Sequence, residues 1–270
     1  MSSLRARLLT AAVAIPAVIL FSWAATELRA PWILGILLAG VGLLAGWEYL
    51  ELVGRLGAHP PKELFLTAIP VYLLVAGLWE GRYALVLGWA VVYLTVIYCF
   101  SRRGHVEGFW SSLAGIFGFL YIPGLLSFFY LLFRGGFFYF LHFLLIVWGY
   151  DTGAYLVGSL WGRHRLIPHI SMAKTWEGVA GGLMLAVVGA LLNPDLWGRG
   201  LLPHAVGLGI FVGSFVQLGD LFESLLKRAA GVKDSGRIFP GHGGMLDRID
   251  GTLAAIPTYY FYLHFILHLI

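Results

Sequence analysis

Apolar residues in this chain run in long stretches separated by short clusters of charge, and no repeat of fixed period is visible. A helix that crosses the hydrocarbon core of a bilayer needs about 20 mostly apolar residues. Stretches of this kind predict nine spanning helices, at residues 8–26, 31–50, 64–79, 83–100, 109–133, 136–158, 176–193, 203–219 and 251–270. The first follows Arg5 and Arg7 and resembles a secretory leader in part. Its apolar run is long and lacks a clear small-x-small cleavage site, so it reads as an uncleaved anchor.

With the N-terminus in the cytoplasm and alternation through nine spans, only Arg29, Arg82, Arg134 and Arg199 of the 18 Lys and Arg residues fall on the outer side. That is a strong positive-inside bias, and it leaves the C-terminus outside. The expectation is an all-α, polytopic integral membrane protein of about nine transmembrane helices, N-terminus cytoplasmic, in the inner (cytoplasmic) membrane.

Composition sharpens this picture. The 270 residues are 59% hydrophobic and 12% charged, against roughly 25% charged in an ordinary soluble domain. A soluble enzyme is excluded. The single cysteine, Cys99, excludes an intrachain disulfide and a Cys-based zinc or iron–sulfur site. The net charge of +4 is accounted for by anionic lipid at the cytoplasmic leaflet and an anionic substrate; no nucleic-acid partner is expected.

The two halves differ. Residues 1–135 have short polar connections and read as a scaffold of transmembrane helices, whereas 136–270 holds most of the acids and a polar insert at 220–250. The insert interleaves five acids with five bases, so it is a cytoplasmic segment rather than a span. Its first part continues helically from the eighth span. At 100° per residue, Asp220, Glu223, Ser224, Lys227 and Arg228 share one face. A carboxylate followed by two cations suits a metal and the polyphosphate it neutralises; an interfacial helix with an ordinary Glu223–Lys227 pair explains the same spacing.

Glycines at 231, 236, 241, 243 and 244 then let the backbone approach a ligand and point N–H groups at phosphate oxygens, with Lys233 and Arg237 adding charge. A flexible surface loop has the same glycine density. Neither a Walker A loop nor a dinucleotide fingerprint is present. Asp247 and Asp250 open the last span at i, i+3, where they suit either Mg²⁺ or simple capping of a helix N-terminus.

The run Ser224-Leu225-Leu226-Lys227-Arg228, four residues, Lys233-Asp234-Ser235-Gly236, then Pro240-Gly241-His242-Gly243-Gly244-Met245-Leu246-Asp247-Arg248-Ile249-Asp250 resembles the pattern S-x-x-K-R-x4-K-D-x-[GSA]-x3-P-x-H-G-G-x-x-D-R-x-D of the phosphatidate cytidylyltransferase family. Upstream, Asp151-Thr152-Gly153-Ala154-Tyr155-Leu156-Val157-Gly158 is similar to that family's D-[ST]-x-A-Y-x-x-G. Ser171-Met172-Ala173-Lys174-Thr175-Trp176-Glu177-Gly178 is similar to its S-P-x-K-T-x-E-G, with Met172 where the family has Pro.

The resemblance implies a Mg²⁺-dependent reaction of CTP with phosphatidic acid that yields CDP-diacylglycerol and pyrophosphate. It implies Asp220 and Asp247 as metal ligands, with Asp250 and Asp234 behind them. Lys227, Arg228, Lys233, Arg237 and Arg248 would meet the triphosphate or leaving pyrophosphate. Ser171, Lys174, Thr175 and Glu177 would contact nucleotide or headgroup, and Ser224, Gly243 and Gly244 the substrates. Asp151 would face the polar cavity or serve only as the structural partner of a cation such as Lys174 or Arg163, and His242 would bond phosphate or cytosine or order the loop. A second metal, a monovalent cation and self-association are left open.

Three rivals remain at this stage: a CTP-using lipid kinase that transfers the γ-phosphate, a transporter or channel, and a CDP-alcohol phosphotransferase, whose D-G-x-x-A-R continuation is absent after Asp250-Gly251. His264 and His268 read as interfacial, as do Glu48 and Glu51, to which no chemistry is assigned.

Overall fold

The computed structural model describes residues 16–28, 30–78, 83–102, 104–239 and 243–270. Arg5, Arg7, Arg29, Arg82, Arg103 and His242 lie outside the described residues. Helices dominate: α1 (residues 16–27), α2 (Pro31–Arg55), α3 (Lys62–Leu78), α4 (Ala84–Arg102), α5 (His105–Phe119), α6 (Phe128–Gly135), α7 (Phe137–Trp161), α8 (Trp176–Leu191), α9 (Pro194–Gly198), α10 (Leu202–Ala229) and α11 (Leu246–Phe261). Strands β1 (Arg165–Ile167) and β2 (Ser171–Thr175) form one antiparallel hairpin between α7 and α8.

Five described segments are long and apolar enough to cross a membrane: Pro31–Arg55, Ala84–Arg102, His105–Gly135, Phe137–Trp161 and Leu202–Ala229. The protein is therefore an all-α, multi-pass membrane protein. The predicted spans at 64–79 and 176–193 correspond to the shorter helices α3 and α8. The predicted span at 251–270 is α11 followed by a π turn, Tyr262–Ile266.

The chain divides into two compact units, one of Met1–Tyr130 with Leu226–Arg248, the other of Leu131–Leu225 with Ile249–Ile270. In the first unit α2 packs on α3, and Leu34, Leu52, Phe65, Ile69, Leu73 and Ile122 are essentially fully buried. Small residues make the close approach possible: a Cβ at Gly42 or Gly46 would press on the Ile69 side chain, and one at Gly118 on the Tyr49 ring. Helix α2 starts with Pro31, whose fixed φ suits the first turn. It ends with Gly57 at φ +82°. There Ala58 N–H reaches Val53 O and Gly57 N–H reaches Gly54 O, the paired bonds of a Schellman stop. Further on, Pro123 lacks the N–H that an α-helical ladder needs, and Leu120–Gly124 adopts a π turn.

In the second unit α7 and α8 approach until backbones meet. A Cβ at Gly153 would collide with Gly181 O, and one at Gly189 would sit 3.2 Å from Ile146 Cα. Small residues that admit such contact replace the hydrophobic driving force that lipid cannot supply between helices. His142 of α7 joins three helices: its Nδ1 lies 2.6 Å from Tyr259 Oη and its Nε2 lies 3.3 Å from Ala190 O. Since the tyrosine hydroxyl can donate and the carbonyl can only accept, the proton belongs on Nε2. The Tyr150 hydroxyl donates to Gln217 Oε1 at 2.8 Å, tying α7 to α10.

Candidate active site

The polar motifs form two clusters, one in each unit. In the second unit, the segment from Ser171 to Glu177 builds a strand, a cap and a first helical turn. Thr175 is the N-cap of α8, its hydroxyl accepting from Gly178 N–H at 3.1 Å. Glu177 turns back to the chain entering the hairpin and accepts from Arg163 N–H at 3.1 Å, His164 N–H at 3.2 Å and His164 Nδ1 at 2.5 Å. Thr175 and Glu177 thus hold the hairpin on α8, while Ser171 opens β2 and Lys174 stands near its end.

Lys174 extends its ammonium to within 2.7 Å of Asp220 Oδ1 on α10. The lysine side chain is 15% exposed and the aspartate 44%. Ser224, one turn along α10, also approaches Asp220 Oδ1, at 3.4 Å. Asp151 is exposed on α7. Asp250 is half-buried, just past the first turn of α11, and accepts from Gly251 N–H.

The first unit holds the second cluster. As expected, α10 runs unbroken through Asp220 to Ala229, and α11 begins at Leu246, which puts Asp247 in its first turn. Lys227 and Asp247 are paired at 2.5 Å with side chains only 11% and 6% exposed. The Lys227 ammonium meets Asp247 Oδ1, while Oδ2 accepts from Ser235 N–H at 2.9 Å, Ser235 Oγ at 2.9 Å and Gly244 N–H at 2.8 Å. Burial pushes the Asp247 carboxyl up, but the Lys227 ammonium and the Gly244 and Ser235 N–H groups outweigh it and hold it below the ordinary 3.8.

Gly243 has φ +80°, the left-handed region that favours glycine, and a Cβ there would meet Asp247 Oδ2. Its carbonyl accepts from Phe239 N–H at 3.0 Å. Arg228 turns onto its own loop, donating to Val232 O at 3.0 Å. Lys233, Asp234, Arg237 and Arg248 are exposed, which leaves them accessible to a polyanion.

Glu48 is the residue that sequence reasoning missed. Read as interfacial, it is 2% exposed and takes part in the motif cluster. Its Oε1 accepts from Met245 N–H at 2.9 Å, and its Oε2 from Leu246 N–H at 2.8 Å and Ser235 Oγ at 2.9 Å. A signal was available: a carboxylate inside a long apolar helix is costly unless partnered, and so marks a site by default. Glu51, one turn on, is exposed and accepts from Trp47 Nε1.

The two aspartates differ in their room for a divalent cation. Both Asp247 oxygens are engaged, by the Lys227 ammonium, the Ser235 and Gly244 N–H groups and the Ser235 hydroxyl that Glu48 shares, which approaches the acceptor capacity of a carboxylate. Asp220 has one oxygen toward Lys174 and Ser224, and a side chain nearly half exposed. Among the described residues no three His, Cys, Asp or Glu side chains converge, so an all-protein cage is absent. Mg²⁺ does not need one, since one or two carboxylates with water and substrate phosphates suffice. Asp220 fits that role.

Comparison with known proteins agrees with the motifs. A curated phosphatidate cytidylyltransferase of Haemophilus influenzae is 42% identical over 137 residues, covering 49% of this chain and 48% of that protein. Phosphatidate cytidylyltransferases of Staphylococcus aureus and Staphylococcus saprophyticus are 45% and 46% identical over 137 and 129 residues, covering 48% and 45% of this chain and 50% and 47% of theirs. The matched region thus spans about half the length of these relatives. The sequence model of the cytidylyltransferase family matches residues 5–266, nearly the whole chain, and the chain belongs to that family.

Proposed function

We propose that this protein is a phosphatidate cytidylyltransferase that joins CTP and phosphatidic acid into CDP-diacylglycerol and pyrophosphate. The observation that carries the reading is the Lys227–Asp247 cluster, in which a buried ion pair and the Ser235 and Gly244 N–H groups organise a loop flanked by accessible cations. The relatives that share these motifs are phosphatidate cytidylyltransferases.

A phosphate monoester has a second pKa of about 6, so phosphatidate is largely dianionic near neutrality and needs no general base. One of its phosphate oxygens attacks the α-phosphorus of CTP; the bond to the β-phosphate oxygen breaks, and pyrophosphate leaves with that electron pair. The obstacle is the approach of two anions, and catalysis here is positioning plus neutralisation of charge.

Lys233, Arg237 and Arg248 are the proposed triphosphate contacts, with Lys227 and Arg228 behind them. Lys174 is proposed to neutralise charge at the headgroup or nucleotide. Mg²⁺, when bound, supplies Lewis-acid neutralisation of phosphate oxygens; Asp220 is its proposed protein ligand, Asp250 a second candidate, and Asp247 keeps Lys227 and the glycine loop in place. The proposed topology has nine spans with the N-terminus, hairpin and motif loop on the cytoplasmic side of the inner membrane. The basic residues of these loops support it.

The test is the full-length protein in lipid nanodiscs with phosphatidate, Mg²⁺, and CTP labelled either in cytidine or at the γ-phosphate. The reading requires cytidine label in the lipid, γ label in released pyrophosphate, and loss of turnover in Asp220→Ala. Transfer of the γ label to lipid would establish a kinase instead.

A further inference from the structure

Glu48 reaches the motif loop from α2, 187 positions away from Ser235 in sequence. The carboxylate sits at the start of α11, where Met245 and Leu246 present N–H groups that have no partner within the helix. It therefore caps that helix from another part of the chain, and a negative charge is favoured there by the helix dipole.

The loop is shaped around it. A Cβ at Gly236 would run into Glu48 Oε1, and a Cβ at Gly244 into both carboxylate oxygens. These glycines are thus required by close approach, without a positive φ at either. Ser235 Oγ lies 2.9 Å from both Glu48 Oε2 and Asp247 Oδ2. Having one proton, that hydroxyl serves one carboxylate at a time, and it couples Glu48 to Asp247.

We propose that Glu48 is a positioning residue of the active site: by capping α11 and seating Gly236, Gly244 and Ser235, it fixes the orientation of Asp247, and through Asp247 that of Lys227 and of the cation-bearing loop that meets the nucleotide. It acts through these groups and does not touch the reacting atoms. The inference rests on the function proposed above.

The test compares wild type with Glu48→Gln, which keeps shape but turns one acceptor into a donor facing donors, and Glu48→Asp, which keeps charge at shorter reach. Full-length proteins in nanodiscs are assayed for kcat and for KM toward phosphatidate and CTP, and amide exchange is followed along the chain. Expected for Glu48→Gln is a fall in kcat of about 10–100-fold, the usual cost of losing a residue that orients a functional group, with KM for phosphatidate unchanged. The amides of Ser235, Gly244, Met245 and Leu246 should exchange at least about tenfold faster, while those of Ile69 and Leu73 in α3 stay protected. Glu48→Asp should recover part of both losses.

Wild-type kcat and wild-type loop exchange in Glu48→Gln would overturn the proposal. So would exchange accelerated equally in the loop and in α3, which marks Glu48 as a general stabiliser. A wild-type protein that makes no CDP-lipid defeats the proposed function alone, and the exchange data then decide the role of Glu48.

Discussion

The Lys227 ammonium lies 2.5 Å from Asp247 Oδ1, and both side chains are close to fully buried. A buried ion pair whose lone pairs are satisfied costs much to break by halves, because the remaining charge is stranded. Asp247→Asn and Lys227→Met should each lower unfolding free energy by about 3–5 kcal/mol and abolish turnover. The double variant should be more stable than either single, as chemical denaturation in a fixed detergent would register. Additive losses would contradict the pairing.

Asp247 also sets an acid limit. Its folded pKa lies below the ordinary 3.8, so the unfolded chain takes up the proton first as pH falls. The stabilisation is fully present above the unfolded value and disappears as pH drops through the folded one. Stability measured from about pH 6 down to pH 2 should show a steeper acid loss in wild type than in Asp247→Asn. Equal slopes would remove Asp247 from the acid transition.

The contact of α7 with α8 depends on absent side chains. Gly153→Val would drive a branched side chain into the Gly181 carbonyl. It should destabilise by at least about 1–3 kcal/mol, the usual range for overpacking. Gly198, around which a Cβ would meet nothing within 4 Å, is the control, and Gly198→Ala should leave the melting temperature within about one degree of wild type.

Tyr259→Phe removes the donor that satisfies His142 Nδ1 in a fully buried setting. An orphaned buried acceptor costs about 1–3 kcal/mol. His142→Phe in the same background should recover part of that loss, since the orphaned Nδ1 is then gone and Ala190 O keeps the Asn193 N–H. A double-mutant cycle in thermal unfolding measures the coupling, and zero coupling would refute the hydrogen bond.

Local chemistry made much of this protein legible from its sequence. Long apolar runs mark the helices, because in a bilayer each segment must satisfy its own backbone. Charge spacing carried the helical continuation through Asp220 to Ala229 and the placement of Asp247 in the first turn of α11, since both depend on neighbours a few residues away. Fixed spacing of Lys, Gly and Asp was sufficient to reach the family.

The tertiary structure alone decided which charges meet. Lys174 found Asp220, Lys227 found Asp247, and Glu48, which looked interfacial at the end of α2, became the cap of a helix nearly 200 residues later. Periodicity and propensity say which face of an element is apolar. They are silent on which distant element brings a counter-charge or an empty acceptor, and that choice follows from how glycine-lined helices and loops close on one another.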